Sequence, residues 1–250
     1  WNYREFIIRS IERDLKKRYK RSKLGYAWSM LSPLFMMIIM ATIFQHIMKS
    51  SEPNYIVFLF SASLAWTYFE TSGKLCLHAI RSNASIIEKV PIPKTVFISS
   101  ILAGQVVELV LCLVPLLVVM LGVGQPITWH ILLLPLLLVP VILFSAGVGL
   151  LLSISNVFFE DTEHLANLAF RALYFLCPIL YAAALLPENL QTLLRLNPMF
   201  SLCEGFRDVI YRAQVFDLSS YLFCFFGSFV IFVLGLLAFR VAEKRFMYVL

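Results

Sequence analysis

Glu70, Lys74, Glu108 and Arg171 are ionisable side chains set inside apolar runs long enough to cross a bilayer. A charge at that depth is costly unless it is paired, neutralised or turned to water, so such residues are functional candidates by default. Glu70 and Lys74 stand at i and i+4, a spacing that lets them pair, and Lys74 is near enough to the end of its run to snorkel. A structural pair and a substrate contact are both open for these two. Glu108 stands near the middle of its run and must be neutral, paired or facing water. Beside Arg171, Phe170, Tyr174 and Tyr181 come at i, i+4 and i+11 on one helical face, an aromatic stripe that serves either packing or a binding surface.

Hydrolytic and nucleotide chemistry lack their usual residues. There is no G-x-x-x-x-G-K-[ST] loop to cradle phosphates, and neither H-E-x-x-H nor G-x-S-x-G occurs. His46, His78, His130 and His164 are scattered near the ends of apolar runs, which gives no constellation for hydrolysis or for a metal. Cys76, Cys112, Cys177, Cys203 and Cys224 show no paired spacing and read as small buried hydrophobes. An enzyme reading is weak.

The elements that must position these residues are membrane helices. Hydrophobic residues make up 60% of the 250 and charged ones only 14%, so the surface has to be covered by lipid. The net charge of +6 comes from basic residues gathered at the N-terminus and beside apolar runs, the topogenic pattern rather than a nucleic-acid footprint. The first apolar run is too long for the core of a cleavable signal and lacks a small-residue cleavage site, so it is expected to stay as a span. The chain opens with Trp1 rather than Met, as expected if a few residues precede it.

Taken in order, residues 3–23 put Tyr3, Ile7, Ile11 and Leu15 opposite Arg9, Arg13, Lys16 and Lys20, which predicts an amphipathic helix in the membrane surface. Spans are expected over 27–48, 55–78, 95–121, 131–155, 165–186 and 221–239, with Pro135 and Pro140 inside the fourth. The dense cationic stretch before the first span holds its start on the cytoplasmic side, and alternation leaves both termini there. The loop 82–94 is then cytoplasmic. Ser85 and Glu88 have capping-box spacing before a short helix that Pro91 and Pro93 end, with an apolar edge at Ile86, Ile87 and Val90. That edge fits either a protein partner or the lipid surface. The acidic loop 156–164 is also cytoplasmic. Residues 187–212, too polar to span, read as two short outer helices broken at Asn197-Pro198. The second carries Glu204, Arg207 and Asp208, and acidic neighbours can pair Arg195, Arg207 and Arg212.

Several stretches together resemble one family. They are Arg13-Asp14-Leu15-Lys16-Lys17-Arg18-Tyr19, Leu24-Gly25-Tyr26-Ala27-Trp28 with Ser32-Pro33-Leu34, Lys89-Val90-Pro91-Ile92-Pro93, Asn156-Val157-Phe158-Phe159-Glu160-Asp161, Leu196-Asn197-Pro198-Met199 and Glu204-Gly205-Phe206-Arg207-Asp208. In this order, over nearly the whole chain, they resemble the membrane subunits of ABC type-2 exporters of O-antigen, capsular polysaccharide and teichoic acid. Glu160 departs from the basic residue the family pattern has before the aspartate.

The resemblance implies an all-α membrane protein of six transmembrane helices, with an N-terminal amphipathic interface helix and short re-entrant gate helices between the fifth and sixth. It implies a bacterial inner (plasma) membrane permease that is not itself an enzyme. Two copies would face each other and work with two ATPase subunits, which bind the ATP and Mg; this chain would bind no cofactor and no metal. The loop with Ser85, Ile86, Ile87, Glu88, Lys89 and Val90 would dock on the ATPase. Asn197, Pro198, Glu204, Arg207 and Asp208 would belong to the gate. Trp28, Phe35, Phe170, Arg171, Tyr174 and Tyr181 would line the path of a lipid-linked glycan, the rings stacking on sugar C–H faces and Arg171 meeting a linker phosphate. A drug or small-lipid exporter shares this architecture. An ion-coupled carrier using Glu70, Glu108 and Arg171 is a further alternative, but the inverted repeats it calls for are not visible.

Overall fold

A computed structural model describes residues 5, 7–11, 27–47, 52–87, 89 and 92–248. Most of the helix expected over 3–23 lies outside the described residues, as do Glu88 and Val90. Residues 7–11 are helical, and Ile11 comes close to Gly104.

Among the described residues the fold is all-α. The helices are α1 (Ala27–Thr42, continued by a π-helical turn Ile43–Ile47), α2 (Tyr55–His78), α3 (Ala84–Ile87), α4 (Thr95–Gly122), α5 (Leu134–Phe158), α6 (Thr162–Leu176), α7 (Glu188–Leu194), α8 (Pro198–Ile210) and α9 (Leu218–Ala242). Three stretches, Thr95–Gly122, Trp129–Phe158 and Leu218–Phe246, are long and apolar enough to cross a membrane; Met30–Gln45 is a shorter apolar one. Pro135 falls in the first turn of α5 rather than inside a longer helix, because residues Trp129–Leu133 form a 3-10 turn. There its missing N–H costs no helical bond.

Helix α2 is the axis of the molecule. Helices α1, α4, α5, α6 and α8 all pack on it, and they bury Phe58, Phe60, Trp66 and Phe69. The hydroxyls of Ser61 and Ser63 are absorbed within the helix, donating to the carbonyls of Phe58 and Leu59, and that of Tyr68 donates to Leu102 of α4. Lipid offers no hydrophobic drive between helices, so close backbone contact takes its place. At the crossing of α5 and α9 a Cβ on Gly147 would lie 2.6 Å from the Ile231 carbonyl, and one on Gly235 would lie 2.6 Å from the Gly147 oxygen. Only glycine fits either position.

A second core closes the end of the bundle near α3, where Ile80, Ile87, Phe97, Phe239 and Phe246 are buried together. Lys94 ties the 3-10 turn Glu243–Tyr248 under it, donating to the Glu243 carbonyl at 3.0 Å with its ammonium 5.5 Å from the Phe246 ring. The capping box expected at Ser85 does not form. Ala79 and Ile80 keep helical dihedrals, so the chain runs from α2 through the 3-10 turn Arg81–Asn83 into α3, and Ser85 lies inside α3. Ser82 and Asn83 instead donate back to His78 and Ala79. Ile87 belongs to the core rather than to an exposed edge, while Ser85 and Lys89 are exposed.

Candidate functional site

Helix α6 stops at Leu176, ten residues short of the span expected from the sequence, because Pro178 has no N–H and forces Cys177 into extended backbone. At roughly 1.5 Å per residue its 15 residues cover only about 22 Å. The irregular stretch that follows is buried at Cys177, Pro178 and Ile179, so its backbone groups must find partners inside the protein. Arg207 of α8 supplies them. Its side chain is fully buried; Nη2 donates to the carbonyls of Pro178 at 2.6 Å and Ile179 at 3.0 Å, and Nε donates to Phe58 of α2 at 3.4 Å. The guanidinium stacks on the Phe58 ring at 3.7 Å, and Nη1 pairs with Glu204. Burial pulls its pKa below the ordinary value, opposed chiefly by the Glu204 charge. Tyr55 donates to the next carbonyl, Leu180, at 2.6 Å, and the Tyr181 hydroxyl turns back to the carbonyls of Phe175 and Leu176. Helices α2, α6 and α8 and the irregular stretch after α6 thus meet at one guanidinium and two phenols.

Local chemistry sets α8 in place for this. Asn197 accepts from the Met199 N–H as N-cap, and Pro198 occupies the first helical position. Glu204 also takes a bond from Arg212 at 2.8 Å, and Arg212 reaches Asp208 at 2.6 Å.

One face of α2 is left open between α1 and α6, and it is polar. Thr67, Lys74 and His78 are exposed on it, with Glu70 and Thr71 half-buried. Pro33 of α1 flanks Thr67 and Thr71 across a small cavity of about 50 Å³ that Gln105 and Glu108 also line. On the other side Phe170 of α6 packs against Gly73, and Glu163 lies 3.7 Å from His78. Glu70 is fully engaged, accepting from Trp66 at 2.8 Å and from Lys74 at 2.5 Å, so the i, i+4 pair forms.

Residues 6–211 match the ABC-2 type transporter family. The chain belongs to that family. It is 31% identical to the O-antigen export system permease protein RfbA of Klebsiella pneumoniae over 97% of this chain and 93% of the relative. With the RfbA protein of Myxococcus xanthus it shares 30% identity, over 87% and 84%. The polysialic acid transport protein KpsM of Escherichia coli is 24% identical over 93% and 91%.

In this ABC-2 chain the residues expected along a path separate. Trp28 and Phe35 are exposed on α1, Arg171 is exposed on α6, and Tyr174 is half-buried against Trp66. Phe170 is not on that surface: it is buried edge-on to Phe69, because Gly73 leaves a hollow that its ring fills. Tyr181 lies beyond the break at Pro178, off the face of Tyr174, and caps the end of α6 instead. Of the residues expected at a gate, Asn197 and Pro198 form the start of α8, and Glu204, Arg207 and Asp208 lie in an ion-pair cluster along it. Sequence reasoning missed Thr67, Thr71 and Tyr55. Thr67 and Thr71, with Lys74 and His78, form a polar stripe at helical spacing within an otherwise buried helix, and that spacing was the available signal.

The acidic loop is fastened to the end of α2. Asn156 donates to the Leu77 carbonyl at 2.9 Å, and Arg81 reaches Glu160 at 3.5 Å and the Val157 carbonyl at 3.4 Å. Glu160, the departure from the family pattern, is the partner of Arg81.

Proposed function

We propose that this chain is the permease subunit of an ATP-driven exporter that carries a lipid-linked polysaccharide from the cytoplasmic side across the bacterial inner membrane. The observation that carries the reading is the open polar face of α2. Thr67, Thr71 and the Glu70–Lys74 pair suit hydrocarbon poorly, so a second copy of the chain or a water-filled path between copies covers this face. Trp28 and Phe35 on one flank and Arg171 with Tyr174 on the other give that path aromatic faces for sugar rings and a guanidinium for a linker phosphate. The names of the relatives, O-antigen and polysialic acid, support a glycan over a drug or a small lipid.

In this reading six crossings are made by α1, α2, α4, α5, α6 with the irregular stretch after it, and α9. Both termini are cytoplasmic, held there by the basic segment before α1 and by Arg240, Lys244 and Arg245. Two separate ATPase subunits bind ATP and Mg and press on the segment Arg81–Ile87 and Lys89. The push passes through Asn156, Arg81 and His78 to the start of α6, and Arg207 carries the far end of α6 and the gate helix α8 together. Replacing Arg171 with Gln reduces export while two-copy assembly with the ATPase persists; unchanged export rejects the path.

A further inference from the structure

On the side of α8 away from α2 lies a cavity of about 270 Å³ between α5, α8 and the start of α9. Its walls divide by chemistry. Glu204, Asp208, Arg212 and Arg195 line one part, and the rings of Phe216 and Tyr221, 5.1 Å apart at 37°, line another. The carboxylates each retain acceptor capacity after their bonds to Arg212, since an ionised carboxylate offers about four lone-pair sites. Arg195 has no ion pair among the described residues. At Gly205 the cavity wall lacks a side chain, and a Cβ there would stand 3.1 Å from Leu137.

We infer that this cavity is a saccharide subsite, taking a sugar ring of the exported glycan as it leaves. The inference rests on the polysaccharide reading above. A sugar presents hydroxyls at its edge and C–H groups on its faces, which suits carboxylates and guanidinium groups on one wall and aromatic rings on another. An apolar drug offers nothing to the remaining acceptor sites of the carboxylates or to the donors of Arg195. Because Glu204 bonds both Arg212 at the cavity and Arg207 at the break in α6, occupancy is felt by the gate helix directly.

The test uses the whole transporter, this chain with its ATPase, in nanodiscs. The probe is the set of oligosaccharides released by mild acid from the host's own surface polysaccharide, followed by saturation-transfer NMR. Ser201→Trp, which fills the cavity from α8, and Tyr221→Ala each weaken binding at least tenfold, while Tyr221→Phe, which keeps the ring, stays within threefold of wild type. Assembly is checked by gel filtration, and Ser220→Trp from α9 replaces any variant that fails to assemble. No binding by the wild type overturns the subsite, as does equal binding by the filled and ring-less variants, which would assign the rings to anchoring at the membrane interface. If deleting this chain abolishes surface glycan while the oligosaccharides do not bind, the subsite falls and the export reading stands. Surface glycan unchanged by deletion removes both.

Discussion

Replacing Arg207 with Met keeps most of the side-chain volume but removes every donor and the planar cation that stacks on Phe58. The carbonyls of Pro178 and Ile179 then lose their partner in a buried setting, that of Phe58 keeps the Ser61 hydroxyl, and Glu204 keeps only Arg212. Each unsatisfied buried acceptor costs about 1–3 kcal/mol, and breaking a buried charge pair from one side costs about 3–5 kcal/mol as a whole. Taking the second figure, the midpoint of thermal unfolding falls by roughly 6–20 °C for a chain of this size. Arg207→Lys keeps the charge but not the planar fork, so it should fall between wild type and Met. Glu204→Gln should cost less than either, because Arg207 retains its three carbonyls. The assay is thermal unfolding of purified protein in detergent, scored as the folded fraction on gel filtration. A Met variant as stable as wild type, or a Gln variant less stable than the Met variant, would refute the assignment of Arg207 as the holder of the α6 break.

Gly147→Ala places a methyl 2.6 Å from the Ile231 carbonyl, with backbone rather than a flexible side chain in the way. It should cost about 1–3 kcal/mol or more, measured by the same unfolding assay. Tyr181→Phe removes the hydroxyl that meets the Phe175 and Leu176 carbonyls, so about 1 kcal/mol is lost. Amide exchange at the end of α6 should speed up without a change at α9. At the start of α9 the Ser219 hydroxyl and the Ser220 N–H hold the exposed Asp217 carboxyl down at about 2 against an ordinary 3.8. A lowered folded pKa means that the cap's contribution is present above the ordinary value and lost as pH falls through about 2. The labelled carboxyl carbon of Asp217 should therefore titrate near that pH, and titration at or above the ordinary value contradicts the cap.

The apolar runs and the basic stretch made the helical membrane class legible, because hydropathy and charge placement answer directly to the bilayer. The short helices of 187–212 were also legible, since Asn197-Pro198 marks the break between them, although the cap that Asn197 gives α8 appears only in the structure. What local patterns could not give was tertiary. Arg207 sits in an amphipathic helix where an arginine reads as surface, and only the fold brings Pro178, Ile179 and Phe58 around it. Pro178 itself was visible, but tolerance of proline in membrane helices hid the end of α6, and with it the separate fates of Phe170, Tyr174 and Tyr181. Ser85 has capping-box spacing to Glu88, yet α2 runs on past His78 in helical conformation and leaves that box no helix start to cap.

The account stands or falls on what the permease carries. Deleting its gene in the host and measuring both surface glycan and lipid-linked glycan retained inside addresses this directly. Surface glycan should disappear and lipid-linked glycan accumulate on the cytoplasmic side, with recovery of both on re-expression. Surface glycan at the wild-type level, with no accumulation inside, would contradict it.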